Sequence, residues 1–258
     1  MGPNQGAGVP APYDDDGLLW DLAAFNQTVA IGGSFNGTVP GWGTGALVAA
    51  VTGVVTNSTD STHKTLAEAS LVDVTGLVSS SGQLQVQFNN TDGVENDVFA
   101  YYLIHSEYRE AQSPSDVPAA VPQSPVTTYA QNGSWVVDHY SAKGAQVIID
   151  FWNQSLLDEG TSDLIREVGN YMWEDSQEYS VSTWWTPLFQ QAFQANRGYS
   201  VNKFIPLLAS SGVTYTSDEA DAGASHIVDY QQTVRVLLFI MFGMCKRTRK
   251  HADLSEAD

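Results

Sequence analysis

Residues 171–179 read YMWEDSQEY, which places Glu174, Asp175 and Glu178 beside Trp173 and Tyr179 in a chain of which only 16% is charged. Carboxyl groups mixed with aromatic rings suit work on a glycosidic bond. One protonated carboxyl donates to the leaving oxygen, and a second carboxylate activates water or attacks the sugar. A flat ring beside them offers an apolar surface to the C–H face of the sugar. Trp184 and Trp185 follow at once in TWWTP. The same residues also read as a solvated acidic loop, the commonest setting for carboxylates, and spacing alone assigns no roles.

Elements on both sides must position that stretch. SWVVDHYS reads as a short buried strand with Asp138 and His139 at its polar end. Ser141 can cap a helix over AKGAQVIIDFWNQSLL that stops at Gly160. Asp138 then stands either where substrate contacts gather or where a carboxylate satisfies helix N–H groups. GNYMWED suits a strand, although Leu164, Ile165, Val168 and Met172 also fit helical spacing. TPLFQQAFQANRG predicts a helix with Thr186 as cap, Pro187 in the first turn, Leu188, Phe189, Ala192 and Phe193 on one face, and Gly198 as terminator. Alternating strands and helices imply parallel pairing with helical crossovers, in which ligand chemistry collects at the carboxyl ends of strands.

Upstream, ALVAAVTGVV, QLQVQF and DVFAYYLIHSEY carry apolar runs and period-two alternation broken by Gly53, Gly76, Gly82 and Gly93, which predicts a small antiparallel sheet. Trp42 in PGWGTG is expected to pack on a tight turn, because no phosphate-loop lysine follows the glycines.

One ordered set of motifs runs through the chain: Asp175-Ser176-Gln177-Glu178, Trp185-Thr186, FQANRGY from Phe193, FIPLL from Phe204 and DYQQT from Asp229. In that order they resemble glycoside hydrolase family 106, the α-L-rhamnosidase-type enzymes, with the likeness reaching over about residues 40–234. The resemblance implies a (β/α)8 barrel with accessory β domains and removal of terminal α-L-rhamnose by inversion, and it admits calcium gripping the sugar. Carried onto this chain, it makes Glu178 the general acid, with Asp175 orienting it or holding the loop; Trp173, Trp185 and Asp138 are the candidate substrate contacts. Gln177 stands where that family often has an aromatic residue.

The expected fold is therefore α/β: a partial (β/α)8-type barrel with an inserted antiparallel β-sheet segment. Residues 1–45 read as an irregular N-terminal segment, 46–110 as the inserted sheet, 111–133 as a Pro-rich connection, 134–234 as strand-helix units of the partial barrel, and 235–258 as an atypical tail. A whole barrel takes roughly 250 residues. The strands bearing the second carboxylate are thus expected outside this sequence, and the chain is expected to be catalytically incomplete.

Charge and composition bound the partners. Against 29 Asp and Glu stand 11 Lys and Arg, a formal charge of -18 that repels nucleic acid. Six N-x-S/T sequons, at Asn26, Asn36, Asn57, Asn89, Asn132 and Asn153, point to a secreted glycoprotein, although the first residues lack the apolar stretch of a leader and so suggest a fragment. The tail holds five of the 11 basic residues, and its apolar run Val236–Cys245 is well short of a membrane span. It reads either as an interfacial anchor or as sequence continued past an exon boundary. No metal-ligand spacing links the histidines. Two rival functions remain open: a carbohydrate-binding β module without catalysis, and a tail-anchored glycoprotein.

Overall fold

The computed structural model describes residues 8–9, 17–106, 135–169 and 181–252. Ten strands and four α-helices are defined among them. The strands are β1 (Gly8–Val9), β2 (Trp20–Val29), β3 (Ser34–Thr38), β4 (Ala46–Asp60), β5 (His63–Leu66), β6 (Val72–Asp73), β7 (Gln83–Gln87), β8 (Glu95–His105), β9 (Trp135–Val136) and β10 (Thr214–Ser217). The helices are α1 (Ala142–Phe151), α2 (Glu159–Val168), α3 (Phe189–Arg197) and α4 (Ala220–Ala252). The chain divides into two compact units, each assembled from segments distant in sequence.

The first unit comprises residues 1–19, 105–181 and 236–258. Its described part pairs β1 with β9 antiparallel, extended by a Leu18–Val137 bridge. Leu18, Val137 and Val147 form a small buried cluster, with Ile148 and Phe151 packed on it. Ser141 caps α1 as expected, accepting from the Gly144 N–H at 3.1 Å. The helix does not run to Gly160. It passes into a single π-helical turn over Trp152–Leu156 and stops, and α2 begins afresh with Asp158 as its cap, accepting from the Thr161 N–H at 2.7 Å. Aspartate is a stronger local signal than the glycine two residues on, because its carboxylate satisfies an N–H that would otherwise be orphaned.

The second unit comprises residues 20–104 and 182–235. Its main sheet runs β10-β5-β4-β8-β2, with β6 also paired to β4. β4 and β8 pair antiparallel from Ala46 opposite Leu103 to Val55 opposite Glu95. Alternation along β8 feeds two faces. Val98, Ala100 and Tyr102 join Phe35, Val39, Leu84 and Phe88 in one core, under the β3–β7 pair. Phe99 and Tyr101 point the other way. There Phe99 meets Tyr215 of β10 edge-on at 5.0 Å. Burial on both faces explains why this stretch reads as a nearly continuous apolar run.

The antiparallel segment expected around residues 46–110 is present, but the barrel is not: no closed barrel occurs among the described residues, and the sheet is mixed. Its parallel pair, β5 with β10, joins residues 63–66 to 214–217. β9, expected as a parallel barrel strand, pairs antiparallel. β2 and β3 fall within residues 1–45, where irregular chain was expected. Leu22 and Phe35 are buried there, while most neighbours are half-buried or exposed, so the period-two signal is faint.

α3 begins two residues later than the Thr186 cap suggested. Phe189 N–H donates to the Thr186 carbonyl at 2.9 Å, Leu188 is 62% exposed, and Phe189 and Phe193 carry the buried face. Gly198 ends it as expected, at φ 81°, a left-handed turn that glycine adopts without steric penalty. Trp42 lies over Gly82, where a Cβ would strike the indole, as the tight-turn reading required. No helix among the described residues is long and apolar enough to cross a membrane.

Candidate functional site

The motif residues after Trp185 converge in the second unit. Trp185 is 1% exposed, its indole 4.3 Å from the ring of Phe189, so its surface is given to the core. Phe193 meets Tyr199 edge-on at 5.1 Å, and Tyr199 meets Phe204 edge-on at 5.6 Å. The Tyr199 hydroxyl donates to Asp229 Oδ2 at 2.9 Å. Arg197 lies 3.7 Å from Asp229 Oδ1 and donates through Nε to Thr233 Oγ1 at 3.3 Å. The ordered string of motifs is thus one interlocked packing unit: the left-handed turn at Gly198 swings Tyr199 back under Asp229 on α4.

From this unit opens a pocket of about 350 Å³, lined by Asp73, Tyr199, Ser200, Lys203, Phe204 and His226. Its volume is at the small end of ligand-sized cavities. Phe204, on the 3-10 helix Asn202–Leu207, stacks on the imidazole of His226 at 3.6 Å. Behind them runs a chain of polar contacts. His226 Nδ1 is 3.0 Å from the Tyr199 hydroxyl, and its Nε2 is 3.1 Å from Glu68 Oε1. Glu68 also accepts from Ser217 Oγ at 2.8 Å. With Tyr199 donating to Asp229, the phenol oxygen and Glu68 flank the two ring nitrogens of His226 and hold the imidazole in place. Burial, together with the hydrogen bond to Asp229, pushes the Tyr199 phenol well up and keeps it a donor.

The rim is polar. Asp73 accepts from Asn202 Nδ2 at 2.8 Å and from the Thr75 N–H at 2.9 Å. Lys203 sits with its ammonium 4.7 Å from the Phe204 ring centroid. The side chains lining the opening offer a ligand an ammonium, a carboxylate and hydroxyl groups.

Deeper in the same unit, Lys64 pairs with Glu95 at 2.5 Å and with fully buried Asp97 at 3.3 Å. Burial opposes the charge on Lys64, yet the two carboxylates outweigh it and raise its pKa. Asp97 also accepts from Thr28 Oγ1 at 2.7 Å and the Tyr215 hydroxyl at 2.8 Å. The amide of Asn26 donates to that hydroxyl at 3.1 Å and accepts from Ser211 at 2.6 Å, which commits this sequon's side chain to the network.

The sequence-derived site divides. Glu178, Asp175 and Trp173 lie outside the described residues. Asp138, in the first unit, is fully buried, and its carboxylate accepts from the Tyr140 N–H at 2.9 Å. It holds the turn that leads into α1. Its neighbour His139 is 4% exposed, and burial lowers its pKa to about 4. No group of three or more histidine, cysteine or acidic side chains fit to hold a metal occurs among the described residues. The pocket escaped sequence reading because Glu68 and His226 meet across 158 positions. Two local signals were available: a lysine between Tyr199 and Phe204 in an acidic chain, and His226 one turn before Asp229 on a helix.

No family profile and no curated protein matches the chain by sequence. Among solved structures, a rhamnosidase from Novosphingobium sp. PP1Y aligns with 90% of this chain at a TM-score of 0.51 and 13% identity. The aligned part is 36% of that protein, so the chain spans about a third of its length. At this identity the likeness is one of fold.

Proposed function

We propose that this chain is part of a secreted glycoside hydrolase of the α-L-rhamnosidase type. Glu178 protonates the glycosidic oxygen as the C1–O bond breaks, and water attacks C1 from the opposite face. The water's proton passes to a second carboxylate supplied from outside this sequence. Asp175 orients Glu178, and Trp173 offers the sugar its ring. The observation that carries the reading is the fold likeness to a rhamnosidase over 90% of the chain. The motif order from Asp175 to Thr233 points the same way, and six sequons fit a secretory route.

Equilibrium binding of methyl α-L-rhamnoside to the purified chain tests it. Saturable binding is expected, weakened about tenfold or more in Trp173→Ala, the loss of one well-placed stacking contact. No saturable binding, or binding indifferent to Trp173, would count against the reading. The pocket around Phe204 favours a second reading, saccharide binding without catalysis, because its ring-lined wall and polar rim suit a sugar.

A further inference from the structure

We infer that the pocket of the second unit binds a sugar acid, with the carboxylate on Lys203 and the hydroxyls on Asp73 and Ser200. This goes beyond the hydrolase reading. It requires no bond cleavage and none of residues 171–179, so the two can fail separately.

The wall is preorganised. The rings of Tyr199, Phe204 and His226 brace one another, and contacts to Glu68 and Asp229 fix their tilt. A ligand therefore meets a surface that needs little ordering, which lowers the entropic cost of binding. Phe204 is 6% exposed, so the C–H face of a pyranose would meet this wall chiefly through the half-buried rings of Tyr199 and His226.

The rim selects the functional groups. Arg197 and Lys64 have carboxylate partners in this unit, whereas Lys203 makes no ion pair among the described residues and touches the Phe204 ring. A neutral sugar would displace water from that ammonium without bringing a counter-charge. A carboxylate brings one and forms a charge-assisted hydrogen bond. At the same opening Asp73, which accepts from Asn202 and Thr75, and Ser200, which accepts from the Asn202 N–H, can each take one further hydroxyl partner. An aromatic acid would add no hydrogen bond to either group. A phosphate dianion would face Asp73 and the -18 charge of the molecule with a single ammonium in support. A monoanion rich in hydroxyls fits all three groups.

The test is calorimetric titration of the purified chain with methyl β-D-glucuronoside and methyl β-D-glucoside, which differ only at C6. The glucuronoside is expected to bind at least about tenfold more tightly. Added salt should weaken that preference. Lys203→Met, which keeps the apolar stem at an exposed position, should erase it, while Lys203→Arg should keep it. Neither substitution should alter binding of methyl α-L-rhamnoside, which the hydrolase reading assigns to Trp173. Equal affinities, no saturable binding of either glycoside, or a preference that survives in Lys203→Met would overturn the inference.

Discussion

The carboxylate of Asp21 accepts from the backbone N–H groups of Leu22, Ser182 and Thr183 at 2.7–2.9 Å. One side chain thereby ties β2 to the backbone at Ser182 and Thr183. At the same scale, Asp138 and His139 show how a polar pair after a buried strand can serve the fold. His139 is buried as the neutral imidazole, with Nδ1 2.9 Å from the Val137 carbonyl and a pKa of about 4 against an ordinary 6.5. Between those values the unfolded chain takes up a proton that the folded chain refuses, so stability falls as the pH falls through this window. Urea unfolding of the first unit should therefore be independent of this group above pH 6.5 and lose about 3 kcal/mol of its contribution by pH 4. His139→Gln should flatten that slope. An equal slope in the variant would show that another group sets the acid sensitivity.

Elements were legible in the sequence where one physical signal dominated. QLQVQF alternates cleanly and is β7. Gly198 terminates α3 through a positive φ that its lack of a Cβ permits. Legibility failed where partners were distant or the signal was divided. β10 is four residues long and owes its existence to β5, about 150 positions away. β3 contains Gly37 and a sequon, so SFNGT looks like a turn until Phe35 and its pairing with Val86 are seen. The pocket was hidden for the same reason, since Asp73 reaches it from the sheet segment and Lys203 and His226 from residues after 181. Two glycines separate local from tertiary constraint. Gly198→Ala meets open space and should cost about 1 kcal/mol, the penalty of a left-handed alanine. A Cβ at Gly144 would collide with the backbone carbonyl of Asp138, so Gly144→Ala should cost about 3 kcal/mol, at the upper end for an overpacked core position. Denaturant midpoints for the two variants give the comparison, and equal losses would contradict the close approach of α1 to the Asp138 turn.

At the scale of the molecule, the chain shares a fold with about a third of a rhamnosidase and carries a strongly acidic surface. Under the proposed reading, in which a second carboxylate is contributed from outside this sequence, the chain is expected to be silent in buffer yet retain its proton donor. Azide can replace the water that such a site no longer activates. The direct measurement is release of aglycone and formation of rhamnosyl azide from an aryl α-L-rhamnoside, with azide present and absent. The account predicts no hydrolysis without azide, rhamnosyl azide with it, and a fall of about 10²-fold or more in Glu178→Gln when the leaving group is poorly activated. Absence of the azide adduct, or an adduct formed equally by Glu178→Gln, would contradict it.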